Sequence, residues 1–251
     1  LALPKSDIGL NATILISYMW IALCLSLPKI SGYLQIFFRL KISTAGLSRQ
    51  VIRLSKILKD VHAEILEEVK QSKILHGDET GWRVKARPWW LWVFGCTDSA
   101  YFIITKSRES DIVRRVLGEM FAGVLIVDGW RAYLELICAQ QSCLAHLLRK
   151  IRRFRKTFPE LTAISKFYIK LRRIIRDGEK LQLNRKKIGE EVFQRRLSYL
   201  RERLDILLEW PNPEDVLKTI IKKVKLQKPR ILTFVEHPEA PCHNNFAEYL
   251  I

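Results

Sequence analysis

Hydrophobic positions in the N-terminal part of the chain follow two patterns. Residues 8–27 form an apolar run that ends before Pro28. Its length is compatible with a membrane span, but its interspersed polar residues favour a buried or partner-facing helix. From Ser48 to Val69, apolar residues recur at helical spacing. This recurrence predicts an amphipathic helix with Ser43 or Ser48 as its N-cap.

From residue 73 onward the hydrophobic pattern becomes short runs rich in aromatic and β-branched residues. Such runs predict strands in KILHGDE, RPWWLWVFGCT and AYFIITKS, with a tight turn at Asp98–Ser99. Residues 109–121 predict a short helix, GVLIVDGW a buried strand, and RAYLELI another helix. This order favours an α/β fold whose mixed sheet begins with an antiparallel meander, and it resembles ribonuclease H-like folds.

Positive charge is concentrated in residues 146–230. The whole chain has a net charge of +17, and residues 146–230 contain 25 Lys and Arg against 10 Asp and Glu. The segment reads as helices with interleaved basic pairs. A solvated helical face usually mixes both signs, so this imbalance favours contact with the phosphates of a nucleic acid. The residues that we expect to contact DNA are Arg149, Lys150, Arg152, Arg153, Arg172 and Arg173.

Composition narrows the class of protein. Hydrophobic residues make up 48% of the chain, which is enough for a packed core. Five scattered cysteines without a CxxC pair indicate a reduced, intracellular protein. Because the chain begins with Leu and ends in Leu–Ile, we expect it to be a fragment.

Two carboxylates follow short apolar runs. Asp78 stands in HGDETGW and Asp128 in VLIVDGW, each where a predicted strand ends. A carboxylate at the end of a buried strand needs a partner, and two on neighbouring strands would suit a shared Mg²⁺ ion. For either residue alone, a cap of the following helix or turn is the favoured explanation, and the metal-binding one gains from the two together in a basic chain. A third acid, Glu248, follows Asn244–Asn245, a pair that can cap a helix.

The ordered motifs carry a resemblance to a known family. The chain contains HGDETGWRV, WWLWVF, IVDGWRAY, QSCLAHLLRKIRR and HNNFAE in this order, between about residue 40 and residue 251. Together they resemble the core of the insertion sequence 66 family of bacterial and archaeal transposases. The resemblance implies a ribonuclease H-like catalytic domain with an Asp–Asp–Glu triad. Asp78, Asp128 and Glu248 would then be catalytic and would bind Mg²⁺ or Mn²⁺.

The same resemblance implies roles for further residues. Trp82 would shape the turn or the DNA path, and Asn244 and Asn245 would position the helix that carries Glu248. Cys143 and His146 form a C-x-x-H pair like one found between the second and third acids of related transposases. Its spacing suits a metal, but two ligands make no closed site. We therefore interpret the pair as structural or substrate-positioning.

The expected domain organisation follows from these motifs. It comprises an N-terminal helical region (1–70), the first part of the core (71–150), a basic helical insertion (151–232) and the start of a truncated last core helix (233–251). The implied partners are transposon-end and target DNA and further copies of the chain, without a membrane. The expected location is the prokaryotic cytoplasm, in association with the nucleoid.

The sequence leaves two alternatives open. Tyr249 stands where the family usually has Arg, and the chain stops soon afterwards, which is compatible with a truncated, catalytically inactive DNA-binding remnant. A membrane-associated basic protein would use residues 8–27, but membrane anchoring explains none of the three acids.

Overall fold

The computed structural model describes residues 2–4 and 6–251. The chain divides into two compact units, and the boundary falls between Glu64 and Ile65. It lies inside a helix that spans Lys59–Gln71.

The N-terminal unit is helical. Its helices are α1 (Leu10–Ile21), α2 (Leu27–Phe38) and α3 (Thr44–Ile57), and α4 (Lys59–Gln71) begins in it. A small core includes Ile16, Met19, Ile30, Leu34 and Leu47. Every helix within residues 2–4 and 6–251 is too short or too polar to cross a membrane.

Two expectations about this unit have clear outcomes. The side chain of Ser43 accepts a hydrogen bond from Gly46 N at 3.1 Å, so Ser43 rather than Ser48 is the N-cap. The single helix expected from Ser48 to Val69 is wrong, because Leu58 leaves helical geometry and separates α3 from α4.

The second unit is built around a mixed sheet. Among the described residues, five strands form this sheet: β1 (Ile74–Val84), β2 (Arg87–Gly95), β3 (Ala100–Thr105), β4 (Met120–Val127) and β5 (Ile137–Ser142). The spatial order is β3-β2-β1-β4-β5. The first three strands form an antiparallel meander, and β4 and β5 run parallel to β1. The predicted α/β class and leading meander are therefore confirmed.

The two hairpin turns of the meander differ in their chemistry. At the predicted turn around Asp98–Ser99, Cys96 N donates to Ser99 O at 2.8 Å. The turn between β1 and β2 instead uses Lys85 and Ala86 with φ values of 49° and 61°. Both values lie in the left-handed region, as a tight two-residue hairpin turn requires.

One core layer covers one face of the sheet. Residues of α4 and of α5 (Ser110–Leu117) pack there against Leu75, Trp92 and Leu125. The helix predicted over 109–121 is shorter than expected, because Gly118 adopts a φ of 82° and Met120 already begins β4.

The predicted helix in RAYLELI is wrong. Residues 131–133 form a single 3-10 turn, and β5 follows. The reason is tertiary: the Gln140 side chain donates to Tyr133 O at 2.6 Å, and Phe234 N donates to the Gln141 side chain at 2.8 Å. These bonds satisfy two buried amides, so a strand with polar residues can occupy the interior.

A helical layer follows β5. It comprises α6 (Leu144–Thr157), α7 (Thr162–Asn184), α8 (Glu190–Leu208), α9 (Asp215–Gln227) and the short α10 (Thr233–Glu236). Its buried residues run from Leu144 to Val235 and form a core of their own. The helices predicted in the basic segment are confirmed. The chain then returns to the sheet and ends in α11 (Asn245–Leu250).

Candidate active site

Strand register places Asp78 beside Asp128. In the parallel pair β1·β4, His76 is opposite Ile126. Two residues further along both strands, the same register makes Asp78 and Asp128 neighbours where β4 ends. Adjacent strands are roughly 4.8 Å apart, and side chains two residues apart share one face of a sheet. The strand pairing itself ends at His76 and Ile126, but the charge of Asp128 raises the pKa of the Asp78 carboxyl group, so the two carboxylates are close to each other.

Each of these two carboxylates also accepts a local hydrogen bond. Asp78, expected at the end of a strand, lies inside β1, whereas Asp128 directly follows β4. Asp78 Oδ1 accepts a hydrogen bond from Glu79 N at 2.9 Å, and Asp128 Oδ1 accepts one from Trp130 N at 2.9 Å. Each side chain thus has at least one local hydrogen bond and still has acceptor capacity for a cation.

The electrostatics of Asp78 show that negative groups converge here. Burial raises the pKa of the Asp78 carboxyl group to about 7; the backbone bond from Glu79 acts in the opposite direction, and the charges of Glu79, Asp128 and Glu248 raise it further. The long-range charges that act on this group are all negative. A divalent cation would offset them.

Glu248 reaches this region from α11, and Asn244 holds α11 against the sheet. The Asn244 side chain is fully buried. Its Nδ2 donates to Gly77 O at 2.9 Å and its Oδ1 lies 2.9 Å from His76 Nδ1. Asn244 occupies the expected N-cap position of α11, but its side chain forms no cap hydrogen bond and bonds to β1 instead. Asn245 is exposed.

Cys143 and His146 lie on the other side of Glu248. Cys143 is buried and immediately precedes α6, and His146 is in the first turn of that helix. His146 Nδ1 lies 3.4 Å from Glu248 Oε1. Within the described part of the chain, Cys143, His146 and Glu248 are the one group of three or more potential metal ligands whose atoms all lie within 4.8 Å of one another.

The three predicted acids therefore lie in one region of the fold, but their carboxylates do not converge on a single metal position. Asp78 and Asp128 form a pair, and Glu248 is close enough to influence the pKa of Asp78. Its carboxylate nevertheless lies next to His146. The donor set fits a hard divalent cation, because carboxylate oxygens are the ligands that Mg²⁺ and Mn²⁺ prefer. Asp78 and Asp128 would hold the ion, and Glu248 would complete the site after a change of side-chain rotamer.

Sequence reasoning missed a buried polar group behind the pair. The Glu79 side chain is 1% exposed. It accepts hydrogen bonds from Arg108 Nε at 3.0 Å and from the Tyr133 hydroxyl at 2.6 Å. The Arg108 guanidinium lies 4.0 Å from the ring centroid of Trp130. The adjacent acids Asp78 and Glu79 thus point to opposite faces, and the alternation of side chains along a strand was the signal for this division.

The remaining predicted residues lie on the surface. Trp82 is 45% exposed and is opposite Trp89 in the β1–β2 hairpin. The predicted DNA-contacting residues are exposed on α6 and α7: Arg149, Lys150, Arg152, Arg153, Arg172 and Arg173. Since α6 begins at the candidate site, its basic side chains extend directly from that site.

Comparison with known proteins assigns the family. A sequence model described as the transposase IS66 family matches residues 10–251. The chain belongs to this family of transposases. The suspected family resemblance is therefore confirmed, and membership implies DNA as a partner. No curated protein matches the sequence.

Proposed function

We propose that this chain is the catalytic domain of a DNA transposase that cleaves DNA at transposon ends and joins the freed strand to target DNA. The observation that carries the proposal is the proximity of two acids: β1 and β4 pair in parallel up to His76 and Ile126, and the charge of Asp128 raises the pKa of the Asp78 carboxyl group. Family membership supplies the reaction class. The meander followed by two parallel strands supports a ribonuclease H-like fold.

Each acid has a distinct part in this proposal. Asp78 and Asp128 hold Mg²⁺ or Mn²⁺, and Glu248 on α11 is the third ligand. When bound, such an ion lowers the pKa of an attacking water and offsets charge on the departing oxygen. Asn244 positions α11, because its side chain bonds to both His76 and Gly77.

The chemistry comprises two phosphodiester substitutions. Water attacks the phosphodiester at a transposon end, the P–O3′ bond to one neighbouring nucleotide breaks, and a 3′-hydroxyl is released. That hydroxyl then attacks a target phosphodiester, so a new P–O bond forms as a target P–O bond breaks. In each step one P–O bond forms as another breaks, and the proton of the attacking water or hydroxyl group passes to the departing oxygen, so no oxidant or reductant is needed.

The basic helical layer holds the DNA backbone in this proposal. Exposed Arg and Lys side chains on α6 and α7 contact phosphates without reading the base sequence. Pairing of two transposon ends would require an assembly of several copies on DNA. The proposed location is the prokaryotic cytoplasm, on nucleoid DNA.

The test compares divalent-dependent cleavage with DNA binding. The wild-type chain is expected to nick supercoiled plasmid in Mg²⁺ or Mn²⁺. Asp128→Asn should reduce the rate more than about a hundredfold while leaving DNA affinity nearly unchanged. Asp98→Asn, in an exposed hairpin turn, is the matched control and should cleave normally.

Two outcomes would contradict the proposal. Equal cleavage by the wild type and Asp128→Asn would remove the assigned ligand role. Salt-sensitive DNA binding by the wild type, without cleavage in either metal, would favour the alternative of an inactive DNA-binding remnant.

A further inference from the structure

The C-x-x-H pair gains a third potential ligand only in the folded chain. Cys143 and His146 are three residues apart at the start of α6, and Glu248 lies 102 positions beyond His146. In the structure the Cys143 sulfur, a His146 ring nitrogen and a Glu248 oxygen all lie within 4.8 Å of one another. The three side chains therefore form a compact cluster of one sulfur, one nitrogen and one oxygen donor.

Backbone contacts hold this cluster together. Leu144 N donates to Cys242 O at 2.9 Å, which ties the start of α6 to the segment that precedes α11. Asn244 N donates to Cys143 Sγ at 3.2 Å. Because Asn244 is also bonded to β1, the N-termini of α6 and α11 are both attached to the same strand. The three ligands thus approach one another without any rearrangement of the backbone.

The imidazole of His146 lacks a conventional partner. Its Nδ1 is shielded from solvent and has no hydrogen bond among the described residues. Glu248 Oε1 lies 3.4 Å away but outside hydrogen-bonding geometry. A shielded ring nitrogen without a hydrogen bond is unfavourable, and a metal ion bound between the nitrogen and the carboxylate would satisfy both.

The distance between the nitrogen and oxygen donors suits a tetrahedral cation. Zinc lies about 2.0 Å from histidine nitrogen and about 2.3 Å from cysteine sulfur, so neighbouring ligand atoms in a tetrahedron are roughly 3.3–3.8 Å apart. The 3.4 Å separation of His146 Nδ1 and Glu248 Oε1 falls in this range. The side chains of His146 and Glu248 are 24% and 35% exposed, which leaves one side open for water as a fourth ligand.

We propose that Cys143, His146 and Glu248 form a binding site for Zn²⁺, distinct from the oxygen-ligand site of Asp78 and Asp128. Thiolate and imidazole ligands select zinc over magnesium, so the two sites discriminate between metals. Glu248 is shared between them. Occupation of the zinc site therefore holds Glu248 away from the Asp78–Asp128 pair and inhibits cleavage. The inhibition of cleavage rests on the proposed function.

Cobalt is the spectroscopic probe for the site. The full-length chain is freed of metal, kept reduced and titrated with Co²⁺. One equivalent should produce a thiolate-to-cobalt charge-transfer absorption in the near ultraviolet, and added Zn²⁺ should remove it. Cys143→Ser should abolish the absorption. His146→Gln and Glu248→Gln should each weaken Co²⁺ binding at least about tenfold.

Matched variants separate this site from other cysteines and acids. Cys96→Ser and Glu239→Gln change residues outside the cluster and should leave the cobalt spectrum unchanged. Asp128→Asn should keep the spectrum as well. Replacement of the buried Cys143 can also disturb folding. The decisive variant is therefore His146→Gln, at a partly exposed position, and circular dichroism verifies that it is folded. Absence of the absorption in the wild type, or unchanged cobalt affinity in His146→Gln, would overturn the site.

The inhibitory role needs a separate measurement. Plasmid cleavage in Mg²⁺ is followed with increasing Zn²⁺, and each variant is compared with its own zinc-free rate. Wild-type cleavage should fall with zinc and recover on chelation, whereas His146→Gln should need at least about tenfold more zinc. Equal zinc sensitivity of both proteins would reject the inhibition. Cobalt binding without any cleavage would retain the site and reject the proposed function instead.

Discussion

At the scale of single residues, the ionisation of Asp78 links the candidate site to stability. Burial and neighbouring acids raise the pKa of this carboxyl group to about 7 in the folded chain, whereas an unfolded Asp titrates near pH 4. Between these values the folded state holds a proton that the unfolded state has lost. The stability associated with that proton is full below about pH 4 and is lost as the pH rises to about 7.

Asp78→Asn should therefore stabilise the metal-free chain at high pH. The melting temperature of the variant relative to wild type should increase between about pH 4 and pH 7 and then level off. The expected gain is roughly 2–4 °C for each kcal/mol by which burial and neighbouring acids destabilise the charged carboxylate. Differential scanning calorimetry at several pH values measures it. Added Mg²⁺ should reduce the difference by stabilising the wild type alone, and a difference independent of pH would contradict the assignment.

Asn244 is the residue whose loss should most weaken the attachment of α11. Its fully buried side chain bonds to His76 and Gly77, so Asn244→Ala leaves buried polar groups without partners. We expect a loss of roughly 2–4 kcal/mol in the free energy of unfolding, measured by urea denaturation. The adjacent Asn245→Ala is the control and should change stability by less than about 0.5 kcal/mol. Similar effects at both positions would show that the side-chain bonds of Asn244 contribute little.

At the scale of elements, the register of β1 and β4 creates the carboxylate pair. The middle of β4 lies against the segment between α4 and β1, where Val124 N donates to Lys73 O at 2.8 Å. Gly123 permits this approach, since a Cβ there would lie 2.5 Å from Ser72 O and 2.6 Å from Lys73 O. Both obstacles are backbone atoms, so the clash cannot be relieved by a side-chain rotation.

Gly123→Ala should therefore destabilise the sheet by about 1–3 kcal/mol, the usual cost of overpacking. It should also weaken metal binding at Asp78 and Asp128, because the two strands must separate. Gly81→Ala is the matched control, since a Cβ at Gly81 has no neighbour within 4 Å. Chemical denaturation and Mn²⁺ titration of both variants measure the two effects. A tolerated Gly123→Ala would show that β4 can shift without loss of register.

The strands also show which elements a sequence pattern can reveal. The runs of β-branched and aromatic residues predicted β1 to β4, because their apolar side chains are buried in the sheet. β5 escaped prediction because its polar residues Gln140 and Gln141 are buried, with hydrogen bonds to Tyr133 and to the distant Phe234. Periodicity reports apolar burial and cannot report polar burial of this kind.

At the scale of the whole molecule, charge asymmetry should govern DNA binding. Arg172 and Arg173 are exposed on α7 within the basic helical layer. Arg172→Ala/Arg173→Ala should weaken DNA binding across all sequences. The log–log salt dependence should also become shallower, by up to about 0.9 for each phosphate that the variant no longer neutralises. Folding should be unaffected, since both side chains are exposed.

The control for this prediction removes the same charge elsewhere. Lys29 and Lys41 are exposed in the N-terminal unit, so Lys29→Ala/Lys41→Ala has an equal effect on net charge. Fluorescence anisotropy at several salt concentrations distinguishes the two double variants. If they weaken binding equally, net charge rather than the surface of α7 determines affinity.

The sequence by itself determined the family, the α/β class, the charge asymmetry and the identity of the three acids as candidates. Those features depend on residue type and local order, which the chain carries without folding. Only the tertiary structure decided that Glu79 bonds to Arg108 and Tyr133, that Asn244 bonds to β1, and that Glu248 lies beside Cys143 and His146. These relations join residues up to 168 positions apart, and such distances are set by strand register and helix packing rather than by local pattern.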